Sequence, residues 1–172
     1  MCGRFALSIS VSALPHPLRE RLDPVHRERY EPRDIIRPGE PLLSLRRDER
    51  GTSPALMLWG LIPAWCRNPL AGPRPFNARV ETLNDKASFR GAWRHRRCLI
   101  PASCFFEKGW RIRRGDQQPF WLAGLWERWL GADGSVENRR LFDVADGERA
   151  DGRRGAFLTT DVFEVDRQIL LE

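Results

Sequence analysis

The sequence predicts an α+β fold in which β dominates: an antiparallel, barrel-like sheet with a few short helices. Three observations predict it. Short apolar and aromatic runs recur along the second half, and Gly, Asp and Pro break them at close intervals. The one early stretch with helical spacing is interrupted by prolines. No repeat, low-complexity tract or long linker divides the 172 residues, so residues 1–172 are expected to form a single domain.

Taken in order, residues 12–29 mix apolar and charged side chains, but Pro15, Pro17 and Pro24 limit them to short helices. Arg37-Pro38-Gly39 predicts a turn leading into a strand over 41–46. Residues 48–53 turn the chain into a second apolar strand over 55–59, which makes a hairpin. A short strand is expected over 76–80. Ser88 is placed to cap a helix running to about His95, with Phe89 and Trp93 on one face. Strands then follow over 98–101, 104–108, 110–113, 120–126, 140–144 and 157–160, parted by turns such as Gly109 and Gly115-Asp116. Trp121, Trp126 and Trp129 lie in or beside these strands and are expected in the core.

Composition bounds the function. The net charge of +6 is uneven, with +8 in residues 1–100 and −2 in residues 101–172. Of 29 basic residues only Lys86 and Lys108 are lysine. Arginine presents a planar fork that matches phosphate oxygens and stacks on bases, so an arginine-rich half suits a nucleic-acid partner. A GC-rich genome would raise arginine in the same way. No apolar run is long enough to span a membrane and no signal peptide is visible, which predicts a cytoplasmic protein. Cys2, Cys66, Cys98 and Cys104 show no Cys-x-x-Cys spacing and no adjacent histidine at metal-ligand distance, so neither a metal site nor a cofactor is expected.

Three segments carry more polar chemistry than a core strand requires. Met1-Cys2-Gly3-Arg4 is the first. Once the methionine is removed, Cys2 offers a thiol and an α-amine on one carbon, a pair suited to a carbonyl: the amine forms an imine and the thiol closes a five-membered ring. In the second, Asn77, Arg79 and Glu81 alternate along a short strand and would share one face. The third runs from Arg97 to Glu107, where a carboxyl closes an apolar stretch. Glu107 is therefore either an exposed strand end or a general acid or base.

The ordered motifs Met1-Cys2-Gly3-Arg4-Phe5, Trp59-Gly60-Leu61-Ile62-Pro63, Asn77-Ala78-Arg79-x-Glu81-Thr82, Ser88-Phe89-Arg90, Arg97-Cys98-Leu99-Ile100-Pro101-Ala102, Phe106-Glu107, Ala123-Gly124-Leu125-Trp126-Glu127 and Leu158-Thr159-Thr160 resemble the SOS response-associated peptidase family. Its members include a human sensor of abasic sites. The resemblance implies a single-stranded DNA-binding domain that removes its own Met1 and crosslinks abasic sites through Cys2 as a thiazolidine. It implies that Asn77 orients the Cys2 amine and that Glu107 acts as acid and base. Arg4, Arg79 and Arg90 would hold phosphates, while Pro38, Gly39, Trp59 and Gly60 would line the DNA cleft. The implied partner is single-stranded DNA with abasic sites, bound by a nucleoid-associated monomer without membrane or small-molecule cofactor.

The chain departs from the family pattern in three places. Family members continue the Thr-Thr pair into a short helix with an active-site histidine; here Val165 stands at that position. The chain ends at Glu172, short of the family's usual C-terminal segment, and Lys108 follows Glu107 where an aromatic is common. These departures predict an attenuated activity, and they keep open a DNA-binding relic without chemistry. A glutamine amidotransferase with an N-terminal cysteine is a remote third reading, lacking its further substrate motifs.

Overall fold

The computed structural model describes residues 3–63, 65–68, 75–129, 143–148, 154–155 and 163–166. Two sheets organise them. The first runs β12-β8-β7-β1-β2, built from β1 (Arg4–Leu7), β2 (Arg33–Ile36), β7 (Cys104–Glu107), β8 (Trp110–Arg114) and β12 (Phe163–Asp166). The second runs β11-β10-β9-β6-β3-β4, from β3 (Pro41–Asp48), β4 (Gly51–Leu58), β6 (Arg97–Ala102), β9 (Phe120–Leu125), β10 (Asp143–Glu148) and β11 (Arg154–Gly155). Neighbours on these paths are antiparallel, as expected. An exception lies off the path, where β5 (Asn77–Arg79) pairs parallel with β10.

Turn chemistry explains the hairpins. Between β7 and β8 the two turn residues Lys108 and Gly109 have φ of +49° and +80°, the positive pair that matches the natural twist of a two-residue hairpin. Glu107 consequently faces Trp110 across the ladder. The β3–β4 hairpin holds register from Asp48↔Gly51 to Pro41↔Leu58, longer than the sequence pattern indicated because its polar end still pairs. Pro54 is tolerated in β4 because this strand is the sheet's edge. Pro101 is tolerated in β6 because β3 pairs only as far as Leu99.

The chain crosses between the sheets at Ser103. Its N–H donates to Ala6 O at 2.8 Å, and its Oγ accepts from the Ser8 N–H at 2.7 Å. The main core lies between the sheets, with Phe5, Leu18, Leu42, Met57, Ile100 and Leu122 almost fully enclosed. Short helices α1 (His16–Arg21) and α2 (Pro24–Glu28) follow the expected proline boundaries, each with a proline in its first turn. Trp126 belongs to the main core and Trp129 to the second; Trp121 is half-buried against the main core.

A smaller core joins helix α3 (Ala87–His95) to β5 and the segment after β4 through Leu61, Ala78, Leu83, Phe89 and Ala92. Phe89 is buried and Trp93 packs at the margin, in line with the helical spacing. Two local expectations are corrected. Lys86, not Ser88, is the N-cap of α3, and its side chain makes no capping bond. The strand at 76–80 is only Asn77–Arg79, after which Val80–Thr82 tighten into a 3-10 turn. Glu81 is therefore off the strand and does not share a face with Asn77 and Arg79. The strand expected over 157–160 and the start of the one over 140–144 lie outside the described residues.

Arg96 closes α3 onto β9. Its Nη2 donates to Glu127 Oε2 at 2.7 Å, while its carbonyl accepts from the Trp126 N–H at 2.9 Å. The Glu127 side chain is 10% exposed and that of Arg96 is 30% exposed. Glu127→Ala should cost about 1–3 kcal/mol, since Arg96 then loses its charged acceptor while keeping partial hydration. Urea titration should show this as a lower midpoint at unchanged slope, with a smaller loss for Glu127→Gln.

Candidate active site

The N-terminal strand reaches the site by pairing with β7. Arg4 stands opposite Phe106, so Glu107 is the next residue along the neighbouring strand. The Arg4 guanidinium lies 5.4 Å from the Phe106 ring centroid, which holds the cation across the ladder. Glu107 is half-buried and faces Trp110, itself 38% exposed, so a carboxyl and an aromatic edge share one cross-strand pair. Gly3 is exposed, and a Cβ added there would meet nothing within 4 Å. Cys2 lies outside the described residues.

Asn77 is held from the other side, through Trp59. The Trp59 indole N–H donates to Phe76 O at 2.8 Å, fixing the backbone immediately before Asn77. The same ring meets Phe5 edge-on at 5.3 Å between centroids and Phe76 at 6.3 Å. Its backbone ties down the turn: Gly39 N–H donates to Trp59 O at 2.6 Å, and Trp59 N–H to Glu40 O at 3.0 Å. Trp59 thus joins the residue after Arg4 and the residue before Asn77 through its ring, and the Pro38-Gly39 turn through its backbone. Gly39 needs its glycine, with φ of +89° in that turn.

The structure corrects one expected role. Trp59 is 1% exposed and Gly60 is also buried, so neither offers a wall to DNA. Trp59 positions its neighbours instead, while Pro38 and Gly39 are exposed. Asn77 is half-buried and Ala78 packs inward into the smaller core; Arg79 and, on α3, Arg90 are exposed. Val165 lies in a strand where the family pattern implied a short helix, opposite Ile112, which in turn faces Phe105. Residue 165 therefore occupies the ladder row of Phe105, two residues along β7 from Glu107. Among the described residues no group of three or more His, Cys, Asp and Glu could hold a metal, and no helix is long and apolar enough to cross a membrane.

Comparison with known proteins bears on the same residues. The family described as SOS response associated peptidase (SRAP) matches residues 1–145. The chain belongs to that family. It is 32% identical over 147 residues to the abasic site processing protein YoqW of Bacillus subtilis (strain 168), covering 78% of this chain and 64% of that one. To the abasic site processing protein YedK of Escherichia coli (strain K12) it is 28% identical over 164 residues, covering 93% of this chain and 67% of that one. In fold it is similar to a crystal structure of a Bordetella bronchiseptica protein, with a TM-score of 0.65 at 23% identity over 95% of this chain and 82% of the other. The chain thus spans about two thirds of the length of these two relatives.

Two exposed aromatic side chains were not singled out in the sequence. Trp65, 59% exposed, follows the Trp59–Pro63 motif, and Trp110 faces Glu107. The remaining described thiols are ordinary. Cys66, Cys98 and Cys104 are buried and unbridged. Burial pushes the Cys98 thiol well up; it also raises Cys104, where a hydrogen bond from Arg111 offsets part of the effect.

Two outcomes follow from this geometry. A raised thiol pKa means less thiolate near neutral pH, so a disulfide reagent applied to the folded protein should leave Cys98 and Cys104 unmodified until denaturant is added. Peptide mapping of the modified protein reads this directly. Trp59→Phe should lower stability by about 2–4 kcal/mol through the lost N–H bond and the cavity left by the smaller ring. Calorimetry gives the size.

Proposed function

We propose that this chain captures abasic sites in single-stranded DNA through Cys2 after removing its own Met1. The observation that carries the proposal is the β1–β7 pairing, in which Arg4 stands opposite Phe106, the residue before Glu107. Two residues of extended chain reach at most about 7 Å, so Cys2 is within range of that carboxyl. Family membership and the names of the curated relatives support the same lesion.

The chemistry needs only groups on this chain. The Cys2 amine adds to the aldehyde carbon of the ring-opened sugar, and loss of one water gives an imine. The thiolate then adds to the imine carbon, the nitrogen takes up a proton, and a thiazolidine closes. Glu107 donates a proton to the departing hydroxyl and takes one from the nucleophile, as it does in the hydrolysis that releases Met1. Asn77 orients the amine. Arg4, Arg79 and Arg90 hold flanking phosphates, which position the strand without reading its sequence. Trp65 and Trp110 offer exposed rings for stacking neighbouring bases, so the aromatic absent at Lys108 is supplied across the hairpin.

Valine at 165 can neither donate nor accept a proton, so the reaction is attenuated and not abolished while Cys2 and Glu107 remain. The protein acts as a monomer on the nucleoid, in the cytoplasm. The test is a denaturing gel after incubation with an abasic oligonucleotide. Cys2→Ala should give no adduct while still binding the strand, and Glu107→Gln should slow it by about 10²–10⁴-fold. Val165→His should accelerate it near neutral pH, where imidazole exchanges protons. An adduct from Cys2→Ala would refute the nucleophile, and equal rates for Val165→His would refute the assignment of that position. Binding without any adduct from the natural chain would leave the DNA-binding relic as the correct reading.

A further inference from the structure

Helix α3 carries its positive charge on one side. Lys86 at the N-cap, Arg90 and Arg94 follow at intervals of four, and a helix turning 3.6 residues per turn places them within an arc of about 80°. Arg97, the first residue of β6, extends the line: its guanidinium lies 5.8 Å from the Trp93 ring centroid. Lys86 Nζ lies 6.0 Å from that of Phe89. All four cations are exposed, while Phe89 and Ala92 occupy the buried side.

None of the four has a carboxylate partner among the described residues. Arg96, between them in sequence, shows the alternative, since it turns inward to Glu127. The helix sequence from Ala87 to His95 contains no acid, and its N-cap is a lysine where the helix dipole favours an anion. The charge is thus arranged for a partner that brings the anions itself.

We propose that this stripe is a second phosphate track, which binds the single strand where it runs on from the lesion. From 86 to 97 it spans about 16 Å, the length of several consecutive phosphates on one strand. A membrane surface fits worse, because an interfacial helix inserts its apolar face, and that of α3 is committed to the smaller core. The same core holds Ala78, so the stripe is fixed relative to Asn77 and Arg79. The proposal rests on the DNA reading above, but its test needs no crosslink.

The test compares the natural chain with Lys86→Gln/Arg94→Gln/Arg97→Gln, leaving Arg90 in place, in salt titrations on intact single strands of about 20 and about 5 nucleotides. On the long strand the variant should lose about 2 from the slope of log affinity against log salt, so that from 50 to 200 mM the natural chain weakens roughly 20-fold more. On the short strand the two should agree. A charge-preserving Arg94→Lys/Arg97→Lys chain should keep the natural slope, and Arg94→Gln alone should show about a third of the effect if the triple variant unfolds. Equal slopes on the long strand would overturn the proposal. So would a loss confined to binding of phosphatidylserine vesicles. A slope difference without any adduct on abasic DNA would uphold the track while removing the capture chemistry.

Discussion

The bond from the Trp59 indole to Phe76 O is the contact on which the site depends. Phe5 lies in β1 of the first sheet and Phe76 just before β5, which pairs with β10 of the second, and no backbone ladder joins the two residues directly. One buried ring touches both, and its N–H fixes the carbonyl next to Asn77. A buried indole N–H without an acceptor is costly, so the hydrogen bond specifies one arrangement and the ring edges enforce it. Gly39 and Glu40 bond the same residue's backbone, which brings the exposed turn into the assembly.

This makes the site a junction between two cores. The main core fixes β1 and β7, and with them Arg4 and Glu107. The smaller core fixes β5 and α3, and with them Asn77, Arg79 and Arg90. Each half is rigid for the ordinary reason that apolar side chains pack densely. Their relative placement is set by the β5–β10 pairing, by β9, which sends Leu122 into one core and Leu125 into the other, by Trp59 reaching from the main core, and by Arg96–Glu127 closing α3 onto β9.

Charge is handled in two ways. Arg33, Arg96 and Arg114 are each paired with a carboxylate, of Glu40, Glu127 and Asp116. Lys86, Arg90, Arg94 and Arg97 are exposed without one among the described residues. The first group supports the fold; the second leaves uncompensated positive charge on the surface. Net charge alone could not separate them, because it counts both alike.

The sequence by itself determined the β-dominant class, the proline-bounded helices, the turn at Pro38-Gly39, the helix carrying Phe89 and Trp93, and the ordered motifs of the family. These are local properties: alternation, turn chemistry and backbone restriction act over a few residues. Tertiary structure alone decided that Trp59 is a buried support instead of a cleft wall, that Glu81 leaves the strand, and that Trp65 and Trp110 are exposed. It also decided which arginine finds an acid, and that Ser8 meets Ser103 across 95 residues of chain. Strand partners and burial are non-local. A residue's type states how it gains by being covered, and only the packed chain states what covers it.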